Sequence, residues 1–423
     1  MYRNTHRNKR RAALTAAAIV AAVTTTTLPA AFAAPGAAVP RTEGISVTAD
    51  GKAANDRSAA AVISRDGRFA AFDSAAADIV AGDTDGQNDI FIRDLRTGKT
   101  ERIAVEGRDV SGASLSADGR YVAMNTKPAG APSDRDVRLY DRKTKKTERL
   151  DVELPDGYPD GTAGSVSLSA DARYAVFTTA GPESGDPTVF LRDRKTGTTE
   201  KISHDYTGGD GAKGSHSPTV SDDGRYVVYA QSFLNGPRGD DWSDLWLRDR
   251  TTGELTQVDR SHDGSKTEKE SLKPSISGDG RTVVFESRDT HLVPDDNDVA
   301  WNVFVHDIAS GTNQRIHGTQ GGPGEAYTRG PAISADSRYL TYVTELTEPG
   351  AEYGKELPVY LRDLKKNTTT LVSPDTTGGA ATAHVEPGGI SAKGDRIAFL
   401  SGDATLLSGD TNDGYDAFVR RLR

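Results

Sequence analysis

Three short loops of this chain place acid and amide side chains at alternating positions. They read DTDGQND from Asp83, DDNDVAWN from Asp295 and DTNDGYD from Asp410. Oxygen ligands at such spacing can converge on one hard cation such as calcium. The candidate ligands are Asp83, Asp85, Asp89, Asp295, Asn297, Asp410, Asn412 and Asp416. The distal Glu of a twelve-residue calcium loop is missing, and Asp-Asn-Gly clusters also form Asx turns without metal, so both interpretations stay open.

The motifs of common hydrolases and nucleotide enzymes are absent from the sequence. It contains no Gly-x-Ser-x-Gly elbow, no His-Glu-x-x-His zinc helix and no phosphate-binding glycine loop followed by a helix. His216 and His384 are the candidates for a metal ligand or a general base. The sequence alone does not show that the two histidines approach each other, and exposed loop histidines are usually solvated. We therefore predict no catalytic residue and favour a protein that is not an enzyme.

The elements that must position these residues recur seven times. The recurring segment, SxDGRYxAF in its most regular form, starts at Ser64, Ser116, Ser169, Ser221, Ser277, Ser334 and Ser391. Successive starts are 52, 53, 52, 56, 57 and 57 residues apart, enough for one four-stranded sheet and too short for a domain. Each repeat has a short first strand, an Asp-Gly hairpin turn, an alternating second strand, a third strand such as DIFIRD from Asp89, and a Thr-Gly or Ser-Gly turn before the fourth.

Four antiparallel strands repeated radially predict an all-β, seven-bladed β-propeller of four-stranded antiparallel blades. The chain stops after the third strand of its last repeat, while residues 43–48, EGISVT, resemble the fourth strand EKIS that precedes His204. We expect this N-terminal strand to close the last blade beside Tyr415 to Val419. Such closure removes an exposed sheet edge.

An Asp recurs after Arg, His or Tyr in the third strand, at Asp94, Asp141, Asp193, Asp249, Asp307 and Asp363. Six equivalent positions favour a structural role, in which each carboxylate accepts hydrogen bonds from the following turn. The hairpin residues Asp66, Asp118, Asp223 and Asp279 are interpreted in the same way. These acids are therefore not candidates for chemistry.

The N-terminus has the pattern of a targeting segment. Five cationic residues precede an apolar stretch from Ala12 to Val23, and Ala31-Phe32-Ala33 forms a small-residue cleavage site. We predict a signal peptide at 1–33, a flexible segment at 34–41, one propeller at 42–423 and a secreted, extracytoplasmic location. The chain has no cysteine and a net charge of −9, which removal of the signal peptide makes more negative. That charge disfavours nucleic acid as a partner.

The SxDGRYxAF segment with its downstream VFVRDLxTG-like strand resembles the WD40-like (PD40) repeat of TolB-type propellers. The resemblance covers nearly the whole chain after the targeting segment, although TolB's separate N-terminal α/β domain has no counterpart here. It implies a secreted or periplasmic interaction scaffold on a ring that several enzymes also use. It also implies that the acidic loops and the connections from fourth to first strands share one face, around the mouth of the central channel.

These connections contain polar residues that differ from blade to blade at similar register: Asp56, Arg57, His216, Glu270, Arg329, His384 and Glu386. Such variation is how a site is grafted on a repeat. We therefore expect a monomeric binding scaffold, without a membrane span, that recognises an extracellular protein, peptide or glycan on this face. The alternative is a polysaccharide-active lyase or hydrolase centred on the channel. No cofactor is certain, and calcium is the possible one.

Overall fold

Each of the seven repeats folds into one antiparallel blade of a β-propeller, as the repeat predicts. The computed structural model describes residues 40–129, 134–155, 158, 162–180, 186–204, 212–233, 242–265, 267, 269–294, 296, 300–317, 328–344, 357–407, 410, 412 and 414–423. All strands lie in one compact unit, Val39–Arg423. The first strand of each blade lies innermost and the fourth outermost.

The first three blades contain twelve strands. Blade 1 is built from β2 (Ser58–Ile63), β3 (Phe69–Ser74), β4 (Asp89–Asp94) and β5 (Lys99–Ile103). Blade 2 is built from β6 (Arg108–Leu115), β7 (Tyr121–Pro128), β8 (Asp136–Asp141) and β9 (Lys146–Arg149). Blade 3 is built from β10 (Val166–Leu168), β11 (Tyr174–Ala180), β12 (Pro187–Asp193) and β13 (Thr198–Lys201).

The next three blades repeat the same order. Blade 4 is built from β14 (Ala212–Val220), β15 (Tyr226–Phe233), β16 (Trp242–Asp249) and β17 (Leu255–Gln257). Blade 5 is built from β18 (Ser271–Ile276), β19 (Thr282–Ser287), β20 (Asn302–Asp307) and β21 (Thr312–Ile316). Blade 6 is built from β22 (Thr328–Ile333), β23 (Tyr339–Thr344), β24 (Val359–Asp363) and β25 (Thr368–Leu371).

Blade 7 joins the two ends of the ring. It contains β26 (Arg396–Ser401), β27 (Asp416–Arg421) and the N-terminal strand β1 (Arg41–Gly44), in the order β1-β27-β26. Its inner segment pairs with β26 only through isolated bridges of His384 with Leu400 and Ile390 with Ile397. That segment contains Pro-Gly-Gly at 387–389, residues that weaken a strand ladder.

The predicted closure by the N-terminal strand is confirmed, but its bounds differ from the predicted 43–48. Strand β1 pairs Arg41 with Arg421 and Gly44 with Phe418, so the partner segment is also shifted from the predicted one. After Gly44 the ladder loses its register, because the N–H groups of Ile45 and Ser46 both donate to the Ala417 carbonyl, at 2.8 and 3.3 Å. Arg41, predicted to precede the propeller, is therefore part of it.

The recurrent hairpin is held by its own side chains. In blade 2 the Ser116 hydroxyl donates to the Asp118 carboxylate at 2.7 Å and accepts the Tyr121 N–H at 2.9 Å. The third-strand Asp141 accepts the Lys143 N–H of the following turn at 2.9 Å, which confirms the structural role predicted for these acids. It also binds the Arg120 guanidinium through both carboxylate oxygens, at 2.9 and 2.7 Å.

Arginines from neighbouring blades enclose the aromatic ring of the repeat. The Tyr121 ring of blade 2 lies between Arg120 of its own blade, 4.6 Å from the ring centroid, and Arg194 of blade 3, at 4.8 Å. The Tyr174 ring lies in the same way between Arg173 and Arg250, at 4.6 and 4.5 Å. Cation–π contacts thus connect neighbouring blades outside the apolar core.

The Arg–Asp pairs make the stability of the fold depend on pH in the acidic range. Hydrogen bonds from Arg68 and Arg173 are the main reason that the pKa values of Asp94 and Asp193 fall from 3.8 to about 2. Between these two pKa values the unfolded chain binds more protons than the folded one. The stabilisation by the Arg–Asp pairs is therefore complete above about pH 5 and is lost as the pH falls towards 2. Melting temperatures of an Asp193→Asn variant should change less than those of wild type between about pH 5 and pH 2.5.

The exposed Asp134 supplies the control for this prediction. An Asp134→Asn variant should keep the acid dependence of the wild-type protein. Identical acid dependence in wild type and Asp193→Asn would contradict the assignment of acid sensitivity to the Arg–Asp pairs.

The predicted signal peptide at 1–33 and residues 34–39 of the predicted flexible segment lie outside the described residues. Among the residues that are described, no helix is long and apolar enough to cross a membrane.

Candidate functional site

One end of the channel is sealed by the residues that follow the hairpin serines. These are Arg65, Ala117, Ala170, Asp222, Gly278, Ala335 and Ala392. Backbone hydrogen bonds link them from blade to blade, as from Ala117 N–H to the Ala170 carbonyl at 2.8 Å and from Ala392 N–H to the Arg65 carbonyl at 2.9 Å. Small side chains let the inner strands approach this closely.

The two large side chains of this ring pair across it. Arg65 of blade 1 contacts Asp222 of blade 4, with Nη2 and Oδ1 2.6 Å apart. A Cβ added at Gly278 would lie 2.3 Å from Asp222 Oδ2, so the carboxylate rests directly on the glycine. Burial raises the pKa of Asp222 and the Arg65 guanidinium opposes that rise. The ion pair closes the hairpin end of the channel.

The opposite end of the inner strands carries a recurring bulge. Pairing shifts after Ala59, Ser111, His216, Leu272 and Arg329 in five different blades. The next residue has a positive φ each time, 49° at Ala60 and 53° at Ser217 among them. Bulges redirect side chains and are frequent next to binding sites. We call this end, defined by the bulges and the residues beside them, the channel mouth.

Glu270 and Arg329 belong to one network at the channel mouth between blades 5 and 6. Arg329 lies within β22, not in a connecting loop, and donates to Glu286 at 2.8 Å. Glu286 is fully buried and also accepts the Gly330 N–H at 2.8 Å. The Trp301 ring lies between Arg329 and Arg288, 4.5 and 5.2 Å from its centroid.

Glu270 completes this network through Arg288, from which its carboxylate lies 3.7 Å away. The network therefore contains both predicted residues and three that the sequence reasoning missed. Glu286 sits in the regular second strand β19, where the repeat pattern predicts only core positions. Its one signal in the sequence is an acid at a position that varies between repeats, where the equivalent residues are Asp73, Asn125, Thr178, Ala230, Val343 and Leu400.

A second group lies where blade 7 meets blade 1. His384 Nε2 is 3.9 Å from Glu386 Oε1, and both side chains are nearly half exposed. The His384 ring meets Tyr415 edge-on, with centroids 5.4 Å apart. Tyr415 accepts the Ser58 N–H at 2.7 Å, which places it next to the exposed pair Asp56 and Arg57.

Asp73 on β3 is a buried carboxylate that the sequence reasoning missed. Its Oδ2 accepts a hydrogen bond from the Asn88 side chain at 3.0 Å. Burial raises its pKa, and the negative charge of Glu386 adds to that rise. Asp73 therefore extends the blade 7 and blade 1 group towards the inner strands.

His216 stands apart from both groups. It lies within β14, with Nε2 2.8 Å from Ser232 Oγ and Nδ1 3.1 Å from Ser217 Oγ. Burial lowers its pKa, which favours a neutral imidazole at pH 7. His216 belongs to blade 4 and His384 to blade 7, and no contact joins them within the described part of the chain. The ring therefore separates the two histidines.

The three carboxylates of the acidic loop of blade 1 already contact an arginine side chain. The carboxylates of Asp83, Asp85 and Asp89 lie within 4.8 Å of one another. The Arg102 guanidinium contacts Asp83 at 3.1 Å, Asp85 at 2.7 Å and Asp89 more closely. Burial raises the pKa of Asp89 to about 6 and Arg102 opposes the rise. The Asp85 carboxylate also accepts the Gln87 N–H at 3.1 Å, as in an Asx turn.

The other two acidic loops differ from the first. In blade 5 the predicted ligands Asp295 and Asn297 lie outside the described residues, while the adjacent Asp296 pairs with Arg315 at 2.7 Å. In blade 7 the Asp410 carboxylate accepts the Asn412 N–H at 3.1 Å. Asp416, the first residue of β27, is 1% exposed.

Solved propellers share this architecture at low sequence identity. Oligogalacturonate lyase from Vibrio parahaemolyticus is 12% identical with a TM-score of 0.57, covering 91% of this chain and 98% of that one. The β-propeller domain of the Trilobed protease from Pyrococcus furiosus, which has an open velcro topology, is 12% identical with a TM-score of 0.54, covering 88% and 96%. The shared feature is the fold.

TolB from Acinetobacter baumannii is 14% identical with a TM-score of 0.43, and the match covers 74% of this chain. This chain spans 62% of the length of that protein. No protein-family model and no curated protein matches the chain. The assignment to the PD40 repeat family therefore stays a prediction from the repeats.

Proposed function

We propose that this chain is a secreted, TolB-type binding scaffold that recognises a protein, peptide or glycan at the channel mouth. The observation that carries the proposal is the contrast between the two ends of the channel. One end is filled by small residues and the Arg65–Asp222 pair. The other presents a polar side chain at the same bulge in three blades, namely Ser111, His216 and Arg329.

The arrangement of titratable residues supports binding over catalysis. A catalytic centre needs its acid, base and electrophile within hydrogen-bond reach of one substrate position. Here the polar residues form two separate groups, and His216 lies with neither. A dispersed polar surface instead suits a ligand that makes many modest contacts across several blades. The polysaccharide lyase or hydrolase is therefore the second candidate, after the binding scaffold.

Export and partner class are parts of the same proposal. The cationic and apolar N-terminal pattern supports secretion. The net charge of −9 supports a partner other than nucleic acid. The absence of cysteine is compatible with an oxidising environment, since no thiol is left to react there.

A double variant, His384→Ala with Glu386→Gln, tests the channel mouth. Both side chains are nearly half exposed, so their loss should leave the fold intact while removing contacts to the ligand. Wild-type protein would first be screened on glycan and peptide arrays for a ligand. We expect the double variant to bind that ligand at least about tenfold more weakly, a loss of about 1.4 kcal/mol.

The control places equivalent changes on the outer strands. Lys146→Ala with Glu254→Gln alters two exposed residues at the rim of blades 2 and 4 and should bind like wild type. If the rim variant loses binding while the channel-mouth variant keeps it, the ligand site lies on the outer surface. Turnover of a polysaccharide by the wild-type protein would favour the enzyme instead.

A further inference from the structure

Three blades carry a similar acidic loop, but only two place an arginine against it. Arg102 of β5 lies opposite Phe91 and Arg315 of β21 lies opposite Phe304. At the same register in blade 7, the residue opposite Phe418 is Gly44. The outer strand there comes from the N-terminus of the chain and places a glycine, without a side chain, at this position. The blade 7 loop therefore lacks the cation that its counterparts contact.

Among the described residues, no cation pairs with the Asp410 or Asp416 carboxylate of the blade 7 loop. Asp416 Oδ1 accepts a hydrogen bond from Ser46 Oγ at 2.7 Å. Its Oδ2 is buried and has no hydrogen-bond partner among the described residues, and no Lys or Arg there forms an ion pair with Asp410 or Asp416. Asp410 and Asp416 thus lie close together beside the Asn412 side chain, with no cation paired to either within the described part of the chain.

We propose that Asp410, Asn412 and Asp416 bind a calcium ion in the position that the arginine guanidinium occupies in blade 1. The buried, unpartnered Asp416 Oδ2 supplies the innermost ligand. The Asp410 carboxylate and the Asn412 amide oxygen supply two more, through the lone pairs left beside the N–H groups that they accept from Asn412 and Gly414 at 3.1 and 2.8 Å. Calcium accepts six to eight oxygen ligands, so water completes the shell. With few protein ligands the affinity falls in the range of extracellular modules, about 10⁻⁴–10⁻³ M.

The position of this site connects calcium to ring closure. Ser46, which donates to Asp416, follows the closing strand β1. The Asn412 side chain donates to the Ala54 carbonyl at 3.0 Å, on the connection into blade 1. A cation between these groups holds the N-terminal segment and the last blade together. This site does not depend on the proposed binding function of the channel mouth.

Calorimetric titration of the purified protein with calcium chloride tests the site. Wild type should bind one ion, and Asp416→Asn should weaken binding at least about tenfold, because it removes the charge of a ligand at nearly constant shape. Calcium should also raise the melting temperature of wild type and leave that of Asp416→Asn nearly unchanged. Absence of calcium binding to wild type in the millimolar range would overturn the proposal.

The matched control is Asp89→Asn, at the same strand position in blade 1, where Arg102 is the partner. Its calcium affinity should equal that of wild type. If Asp89→Asn loses binding and Asp416→Asn keeps it, the ion binds blade 1 and the proposal is wrong. If Asp416→Asn does not fold, Asp410→Asn replaces it, because Asp410 lies in the loop outside β27, and unchanged affinity in that variant would be equally decisive against the site.

Discussion

A chain that begins at residue 49 should melt roughly 10 °C below one that begins at residue 40. The longer chain keeps β1, Ile45, Ser46 and Val47, and the shorter one loses them. Ile45 and Val47 are 0% and 5% exposed, so their loss alone removes roughly 3–6 kcal/mol of burial. The truncation also leaves the edge of β27 unpaired. In addition, the Ala417 N–H loses its acceptor, the Ser46 hydroxyl, which lies 2.9 Å away in the longer chain.

The comparison isolates the closing strand, because the two chains differ only in residues 40–48. Thermal unfolding followed by circular dichroism provides the melting temperatures. A Ser46→Ala variant of the longer chain should fall between them, since it keeps β1 and loses one capping hydroxyl. Equal melting temperatures for the two truncated chains would show that the ring does not need its N-terminal strand.

The repeat predicted the propeller because each blade restates the same local rules. The likeness between EGIS at 43–46 and EKIS at 200–203 also predicted that the N-terminal strand would close the last blade. Ile45 N–H donates to Ala417 as Ile202 N–H donates to Val189, at 2.8 and 2.9 Å. The start of β1 could not be predicted from the local sequence, because Arg41 joins the strand only through its pairing with Arg421.

The polar residues of the site were less predictable, because their roles depend on which blades meet. Arg329 was expected to be an exposed loop residue, yet it pairs with the buried Glu286 of the preceding blade. Its replacement by alanine would leave this buried charge with only the more distant Lys273, 4.0 Å away, and should destabilise the fold. Arg65 and Asp222 are 157 residues apart in sequence, and only the closed ring brings blades 1 and 4 together.

The acidic loops of blades 1 and 7 also differ in a way that their own sequences do not show. Asp83 and Asp410 begin similar acidic motifs, and both loops were predicted from their sequences as possible calcium sites. The two loops differ because the outer strand of each blade places a different residue at the same register, Arg102 in blade 1 and Gly44 in blade 7. Because Gly44 is hundreds of residues away from its loop in sequence, the missing arginine becomes visible only once closure is known.

Replacing Phe285 by alanine should cost about 3–5 kcal/mol of the free energy of unfolding. Phe285 is 0% exposed and stacks on Phe304, with ring centroids 5.5 Å apart. It packs against Val228 and Leu245 of blade 4, in the core between blades 4 and 5. Hydrogen-bonded strands fix both walls of the cavity that alanine would leave, so little collapse is expected. Denaturant unfolding gives the change, and Phe285→Leu is the milder control.

The same variant tests whether the closed ring unfolds as one unit. Tryptophan fluorescence follows Trp242, Trp246 and Trp301, which lie in or next to blades 4 and 5, whereas far-ultraviolet circular dichroism follows all seven blades. In a closed ring no blade has a free face, so loss of one interface should lower the stability of every blade together. We therefore expect both signals of Phe285→Ala to shift equally to lower denaturant. A fluorescence transition that precedes the circular dichroism transition would show that blades 4 and 5 unfold on their own and that closure does not couple the ring.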